Sequence, residues 1–302
     1  MRTLAAILAL CGALVANGQQ PPNRPYKPHA VRSPDGVTLA VQEWGNPAGP
    51  EILFIHGFAQ SSLSWDRQVK SDLAKDFRLV TFDLRGHGNS DKPLAREAYR
   101  DSKSWAGDID AIIRQTGLRK PVLVGWSYGG RVINDYLTHH GDAGIGGINY
   151  VAAATVAKAG FLGPIVGQLL PLMASDDLAT NIDATRKFLV ACFKVQPSAD
   201  HMATALAASM MMPPQVRGFF PGREDIYDHA LSKLTVPVLV TQGRDDLIVK
   251  PAQSEHMLTM VKHAKSSFYD GVGHEVFYEA ADRFNAELAA FVTAIPRRAV
   301  AP

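Results

Sequence analysis

Val122-Leu123-Val124-Gly125-Trp126-Ser127-Tyr128-Gly129-Gly130 decides how this chain folds. Pro121 to Gly125 is a short, uninterrupted apolar run, the pattern of a strand buried on both faces. A helical pattern from Tyr128 to Thr138 begins with no linker between them. The junction must therefore turn sharply, and it carries Gly125-x-Ser127-x-Gly129. A strand-to-helix turn this tight needs small neighbours, which Gly125, Gly129 and Gly130 supply. It would present Ser127 at a helix N-terminus, where unpaired N–H groups and the positive dipole end favour negative charge.

The same strand-then-helix rhythm extends in both directions. Ile52 to Ile55, Arg78 to Phe82, Ile148 to Val151, Val236 to Val240 and Ser267 to Tyr269 read as further buried strands. Helical patterns cover Ser62 to Leu73, Lys103 to Thr116, Pro251 to Val261 and Phe277 to Ile295. Asp35-Gly36 separates His29–Ser33 from Val37–Trp44 as a hairpin turn would. Alternation of this kind predicts an α/β fold with a mostly parallel central sheet flanked by helices. From Val156 to Leu231 the rhythm stops. That stretch has helical lengths and many apolar residues, including Leu169, Met202, Met210, Met211, Met212 and Phe220, but no strand signal. A segment this long between sheet strands is expected to be a helical cap insertion, with extra core packing as the plainer alternative.

The chain has 302 residues, 31 Lys+Arg against 29 Asp+Glu, and 20% charged residues. Such balance gives no electrostatic reason to bind nucleic acid or an acidic membrane. Arg2 followed by the apolar run Leu4–Val15 and the small residues Ala16 and Gly18 reads as a secretory signal peptide. The run is too short for a bilayer span, which needs about 20 apolar residues, so an uncleaved anchor is the lesser reading. The expected division is a signal peptide at 1–18, a proline-rich linker at 19–28, an α/β core at 29–155 and 232–296, and the cap at 156–231. A secreted or periplasmic location follows, with no stable membrane association after cleavage. Of the two cysteines, Cys192 lies in an apolar context and reads as a small buried hydrophobe.

Serine is a weak nucleophile until a base takes its proton and an acid orients that base. Two carboxylates, Asp245 and Asp246, follow the strand ending near Val240. His274 lies in the glycine-rich Gly271-Val272-Gly273-His274 loop after the last strand. Ligand sites in open α/β sheets form outside the carboxyl ends of the strands, so these groups can meet Ser127. The histidines show no metal-ligand spacing such as H-E-x-x-H, and neither a metal nor a cofactor is expected.

With these motifs assembled, the chain resembles the α/β-hydrolase family, serine-nucleophile members with a cap domain. His56-Gly57-Phe58, Asp83 to Ser90 and the Gly273-His274 loop match its other landmarks, over roughly residues 30 to 295. The resemblance implies a catalytic triad in the order Ser127, Asp246, His274. It places the acid three residues after Gly243, at Asp246, with Asp245 left open as the neighbour. It implies an oxyanion hole from the N–H groups of Tyr128 and Phe58. His56 and His87 are then expected to brace loops and not to transfer protons. The implied activity is cleavage of carboxylic esters or lactones of small, hydrophobic molecules, with Trp126 and the cap lining an acyl or aryl pocket. Peracid-forming activity like that of cofactor-free haloperoxidases, or C–C bond hydrolysis, would use the same triad. A non-catalytic ligand-binding protein of this fold is the alternative of another class.

Overall fold

A computed structural model describes residues 25–156, 158, 160–223 and 227–296. The segment expected to be a signal peptide, 1–18, and most of the expected linker lie outside these residues. The linker's last two positions, Lys27 and Pro28, already belong to the first strand.

One eight-stranded sheet organises the chain, in the order β1-β2-β4-β3-β5-β6-β7-β8. Its strands are β1 (Lys27–Arg32), β2 (Thr38–Gly45), β3 (Glu51–Ile55), β4 (Arg78–Phe82), β5 (Val122–Trp126), β6 (Gly147–Val151), β7 (Val238–Gly243) and β8 (Lys265–Tyr269). The hairpin β1–β2 and the β2–β4 pair are antiparallel. All remaining pairings are parallel. The apolar runs are continuous because both faces of the sheet are covered. Leu53, Ile55 and Leu123 enter one core cluster, while Ile52, Phe54, Val122 and Val124 enter the other.

Helices pack on both faces: α1 (Asp66–Val69), α2 (Leu73–Asp76), α3 (Glu97–Arg100), α4 (Ser102–Gln115) and α5 (Tyr128–His140). Between β6 and β7 come α6 (Pro164–Met173), α7 (Leu178–Cys192), α8 (Ala199–Met210), α9 (Pro214–Arg217) and α10 (Asp228–Leu231). After β7 come α11 (Pro251–Met260), α12 (Val276–Glu279) and α13 (Ala281–Thr293). The α6–α10 segment is the helical cap insertion. It shares the main core: Leu169, Met173, Met212 and Phe220 are buried in the same cluster as the sheet residues. Among the described residues no helix is long and apolar enough to cross a membrane.

Two expected helices are broken. The stretch Ser62 to Leu73 is a 3-10 turn over Ser62–Trp65, then α1, then α2. Ser61 caps the turn by accepting from the Leu63 N–H, and fully buried Trp65 wedges between Phe54 and Phe277. Phe277 to Ile295 divides at Ala280, where φ −125 and ψ 46 are not helical. With the break there, Val276 and Phe277 of α12 and Phe284, Leu288 and Val292 of α13 are all buried in the same core cluster as the strand residues.

Candidate active site

Strand β5 ends at Trp126, and α5 starts at Tyr128. Ser127 alone makes the turn, with φ 53 and ψ −118. That is left-handed backbone on a non-glycine residue, a strain of order 1–3 kcal/mol that persists only where the surroundings enforce it. They do so here through tight packing. A Cβ on Gly129 would come within 2.5 Å of the Ile55 carbonyl oxygen. A Cβ on Gly125 would meet Ile133 Cδ1 at 2.6 Å. The Ser127 N–H donates to Val151 O at 3.0 Å, and its carbonyl accepts from Ala154 N at 2.8 Å. The elbow is thus tied to the end of β6, and Ser127 stays half-buried at the carboxyl edge of the sheet.

Asp246 follows β7 and is buried. Its Oδ1 accepts from the N–H groups of Ile248 (2.8 Å) and Val249 (2.9 Å). Its Oδ2 accepts from Gln242 Nε2 at 3.1 Å and lies 2.7 Å from His274 Nδ1. Three of these partners are N–H donors, so the carboxylate accepts throughout and His274 Nδ1 carries the proton. The other imidazole nitrogen, Nε2, is left as the basic one. Asp245 faces away: Lys194 Nζ lies 2.9 Å from its Oδ1, and its Oδ2 accepts from the Gly271 N–H at 3.0 Å. The Lys194 ammonium holds its carboxyl below the usual range.

His274 is buried, and its backbone is held as firmly as its ring. Its N–H donates to the Cys192 carbonyl, the last residue of α7, at 2.8 Å. Its carbonyl accepts from the Trp126 indole N–H at 3.1 Å. The Trp126 and His274 rings pack with centroids 5.4 Å apart. The residue preceding Ser127 therefore rests directly on the histidine. This corrects the expectation for Trp126: it is buried in the core cluster under the sheet and braces the His274 loop instead of lining a pocket. The Cys192 side chain is fully buried, and burial pushes its thiol well up, which suits a hydrophobe and not a nucleophile.

Phe58 lies in the loop after β3. His56 Nδ1 donates to Gly57 O at 2.7 Å, and its Nε2 accepts from the Leu84 N–H at 3.0 Å. His87 Nδ1 donates to Arg85 O at 2.9 Å, and its Nε2 accepts from the Ala59 N–H at 3.1 Å. Both imidazoles are fully buried with both nitrogens in use. Burial lowers His56 to about 4 and His87 well below its ordinary value. They are loop braces, and neither can serve as a base. Arg85 anchors the second loop: its guanidinium pairs twice with buried Asp108, both bonds at 2.7 Å. Tyr128 is the first residue of α5. The side chains of Phe58 and Tyr128 converge on Phe220 from the cap, with centroids 5.1 and 5.0 Å away.

Several supports carried no signal in the sequence reading. Gln60 Nε2 donates to Ser209 Oγ of α8 at 2.9 Å, linking the Phe58 loop to the cap. Buried Arg217 then donates to Ser209 O, to Met173 O (3.1 Å), to Asn181 Oδ1 (2.7 Å) and to Thr185 Oγ1 (2.8 Å). One cation so caps the C-terminal ends of α6 and α8, where the helix dipole favours positive charge. Among the described residues no group of three His, Cys, Asp or Glu is arranged to hold a metal.

A profile of the alpha/beta hydrolase fold matches residues 50–281. The chain belongs to the alpha/beta hydrolase fold family. A candidate aryl esterase from Burkholderia cenocepacia is 39% identical, covering 88% of this chain and 98% of that one, with a TM-score of 0.85. The esterase RhEst1 from Rhodococcus sp. ECU1013 is 34% identical over 90% of this chain and 100% of its own, with a TM-score of 0.84. A non-heme haloperoxidase of Rhodococcus erythropolis is 29% identical over 286 residues, 87% of this chain and 98% of that protein. This α/β-hydrolase is an enzyme, with esterase and haloperoxidase relatives.

Proposed function

We propose that this α/β-hydrolase is an exported serine esterase that cleaves carboxylic esters or lactones of small, hydrophobic molecules through a covalent acyl-enzyme. The observation that carries the reading is Ser127 at φ 53 on the strand-to-helix turn, next in sequence to Trp126, whose indole holds the loop of a histidine with its Nδ1 2.7 Å from buried Asp246. In the first half-reaction Ser127 Oγ attacks the ester carbonyl carbon while His274 Nε2 takes the hydroxyl proton. Asp246 fixes the imidazole and offsets its positive charge. The N–H groups of Tyr128 and Phe58 receive the developing oxyanion. His274 passes the proton to the leaving alkoxide, and the alcohol departs. Water then attacks the acyl-enzyme with His274 as base, releasing the carboxylic acid and restoring the serine.

Export is supported by the charged start and apolar run of residues 2–18. A second reading has hydrogen peroxide replace water in the last step, yielding a peracid. The likeness to a non-heme haloperoxidase favours it. The test is turnover of p-nitrophenyl acetate by wild type and Ser127→Ala, followed by mass spectrometry of the protein after brief acyl loading. A transient acyl adduct trapped by acid quench on wild type, absent in Ser127→Ala, with turnover down at least about 10³-fold, is expected. Equal rates in the two proteins would refute the serine mechanism.

A further inference from the structure

A groove of about 570 Å³ runs between the 3-10 turn with α1 on one side and α8, α12 and α13 on the other. Its rim is exposed and charged, with Arg67, Lys70, Asp200 and Asp282. Its inner end is buried and is made by Gln60, Ala208 and Glu275. Glu275 directly follows His274, and Gln60 lies two residues beyond Phe58. The buried end of the groove is thus made by chain neighbours of the proposed base and of the proposed oxyanion loop, while Ser127, His274, Phe58 and Tyr128 themselves do not line it.

Glu275 is 3% exposed. Among the described residues its carboxyl has no hydrogen-bond or ion-pair partner, and it borders the groove. An unpaired carboxylate this deep is costly, and such groups hold a proton instead. Its neighbour decides which carboxyl is protonated. Glu279, one helical turn on, accepts from the N–H groups of Gly273 (2.8 Å), Lys194 (3.0 Å) and Val195 (2.8 Å). Burial raises the Glu279 carboxyl above its ordinary value, and these three donors pull against that shift. Glu275 has none, and the Glu279 charge opposes its ionisation. Burial first and Glu279 second push Glu275 up to about 8.

We propose that Glu275 is a specificity-determining residue: as an uncharged carboxylic acid it donates a hydrogen bond to an ether, carbonyl or hydroxyl oxygen that the substrate carries a few atoms from its scissile ester. The groove holds that oxygen-bearing arm. The substrate class narrows accordingly, from hydrophobic esters in general to esters with a second, uncharged oxygen acceptor. This rests on the serine-esterase reading of the same site.

The experiment compares isosteric esters that differ by one oxygen. On the acyl side the pair is p-nitrophenyl 3-methoxypropanoate and p-nitrophenyl pentanoate. On the alcohol side it is 2-methoxyethyl acetate and butyl acetate. The readout is the ratio of kcat/KM within each pair, compared between wild type and variants so that intrinsic reactivity cancels. Glu275→Leu should lower the ratio in one pair by about five- to tenfold, the worth of one hydrogen bond. Glu275→Gln, which still donates but cannot ionise, should keep it within about twofold. Ala208→Phe fills the same end of the groove from α8 while leaving Glu275 itself unchanged, and should abolish the same preference. If Glu275→Leu and Ala208→Phe leave both ratios unchanged, the assignment is wrong. If Glu275→Gln falls with Glu275→Leu, the group acts as a charge, which also overturns it. Wild-type turnover with unchanged ratios refutes only Glu275; no wild-type turnover of any of the four esters refutes the esterase reading and the groove with it.

Discussion

Asp246→Asn isolates the role of one oxygen. Asp246 takes two backbone N–H bonds on Oδ1, and the Gln242 amide and His274 on Oδ2. Asparagine has one oxygen and one NH₂ group, so two orientations compete. Placing NH₂ at the Oδ1 position sets it against the Ile248 and Val249 N–H groups and orphans both, at about 1–3 kcal/mol each. Placing it at Oδ2 loses one bond, from Gln242. Gln242 cannot flip in response, because its Nε2 also donates to Gly243 O (2.9 Å) and Val249 O (3.2 Å) and its Oε1 accepts from Ser254. The second orientation wins. Its NH₂ then points at His274 Nδ1 and turns that nitrogen into an acceptor. The proton moves to Nε2, where the base is needed.

The consequence is large for catalysis and small for the fold. Turnover of p-nitrophenyl acetate should fall about 10⁴-fold, the scale seen when a triad histidine is held in the wrong tautomer. Stability should fall by only about 1–3 kcal/mol, a Tm loss of roughly 2–10 °C. Asp245→Asn, at a half-exposed carboxyl that meets Lys194 and Gly271, should change turnover less than about tenfold. The assay is kcat across pH with a thermal melt for each protein. Asp246→Asn retaining turnover within tenfold of wild type, or Asp245→Asn showing the large loss, would refute the reasoning.

Three further outcomes are expected. Trp126→Phe keeps the ring on His274 but removes the indole N–H to its carbonyl; kcat should drop about tenfold with KM little changed, and an unchanged kcat would mean the loop is held without that bond. Arg217→Met leaves the buried carbonyls of Met173 and Ser209 without their donor, at about 1–3 kcal/mol each, so a melt should show a loss of several degrees and limited proteolysis should cut faster between 199 and 217; a Tm within a degree of wild type would sink this. Glu275 stands near 8 when folded against its ordinary 4.5, so between those values the folded state holds a proton the unfolded chain has lost, and stability contributed by this group falls as pH rises through that window, by up to about 5 kcal/mol. Urea unfolding should therefore find Glu275→Gln gaining on wild type from pH 5 to pH 8, and a difference that is flat with pH would contradict it.

The sheet was legible because a strand buried on both faces leaves a continuous apolar run, and because Ser127 had glycine on the sides where a Cβ collides. The two helices expected at Ser62–Leu73 and Phe277–Ile295 were misread for a tertiary reason. Periodicity records which positions are apolar, and it stayed intact across Trp65 and Ala280, where the backbone bends to follow a neighbour. Trp126 was misread similarly: being next to Ser127 in sequence says nothing about which face of β5 its ring occupies, and alternation puts it on the opposite side, under His274.

The contacts that hold the candidate site together were illegible for a different reason. His274 is fixed through the carbonyl of Cys192, Asp246 through the N–H groups of Ile248 and Val249, and Ala59 through a histidine nitrogen. Backbone groups are the same in every residue type, so no side-chain pattern announces them. Their effect is to make the cap part of the machinery. The last residue of α7 holds the His274 backbone, and Ser209 of α8 holds Gln60 near Phe58. A cap that only covered the pocket could move freely over Ser127 and leave the chemistry intact. This one cannot separate from the sheet at α7 without releasing the His274 backbone, so displacing that helix must cost kcat as well as substrate affinity.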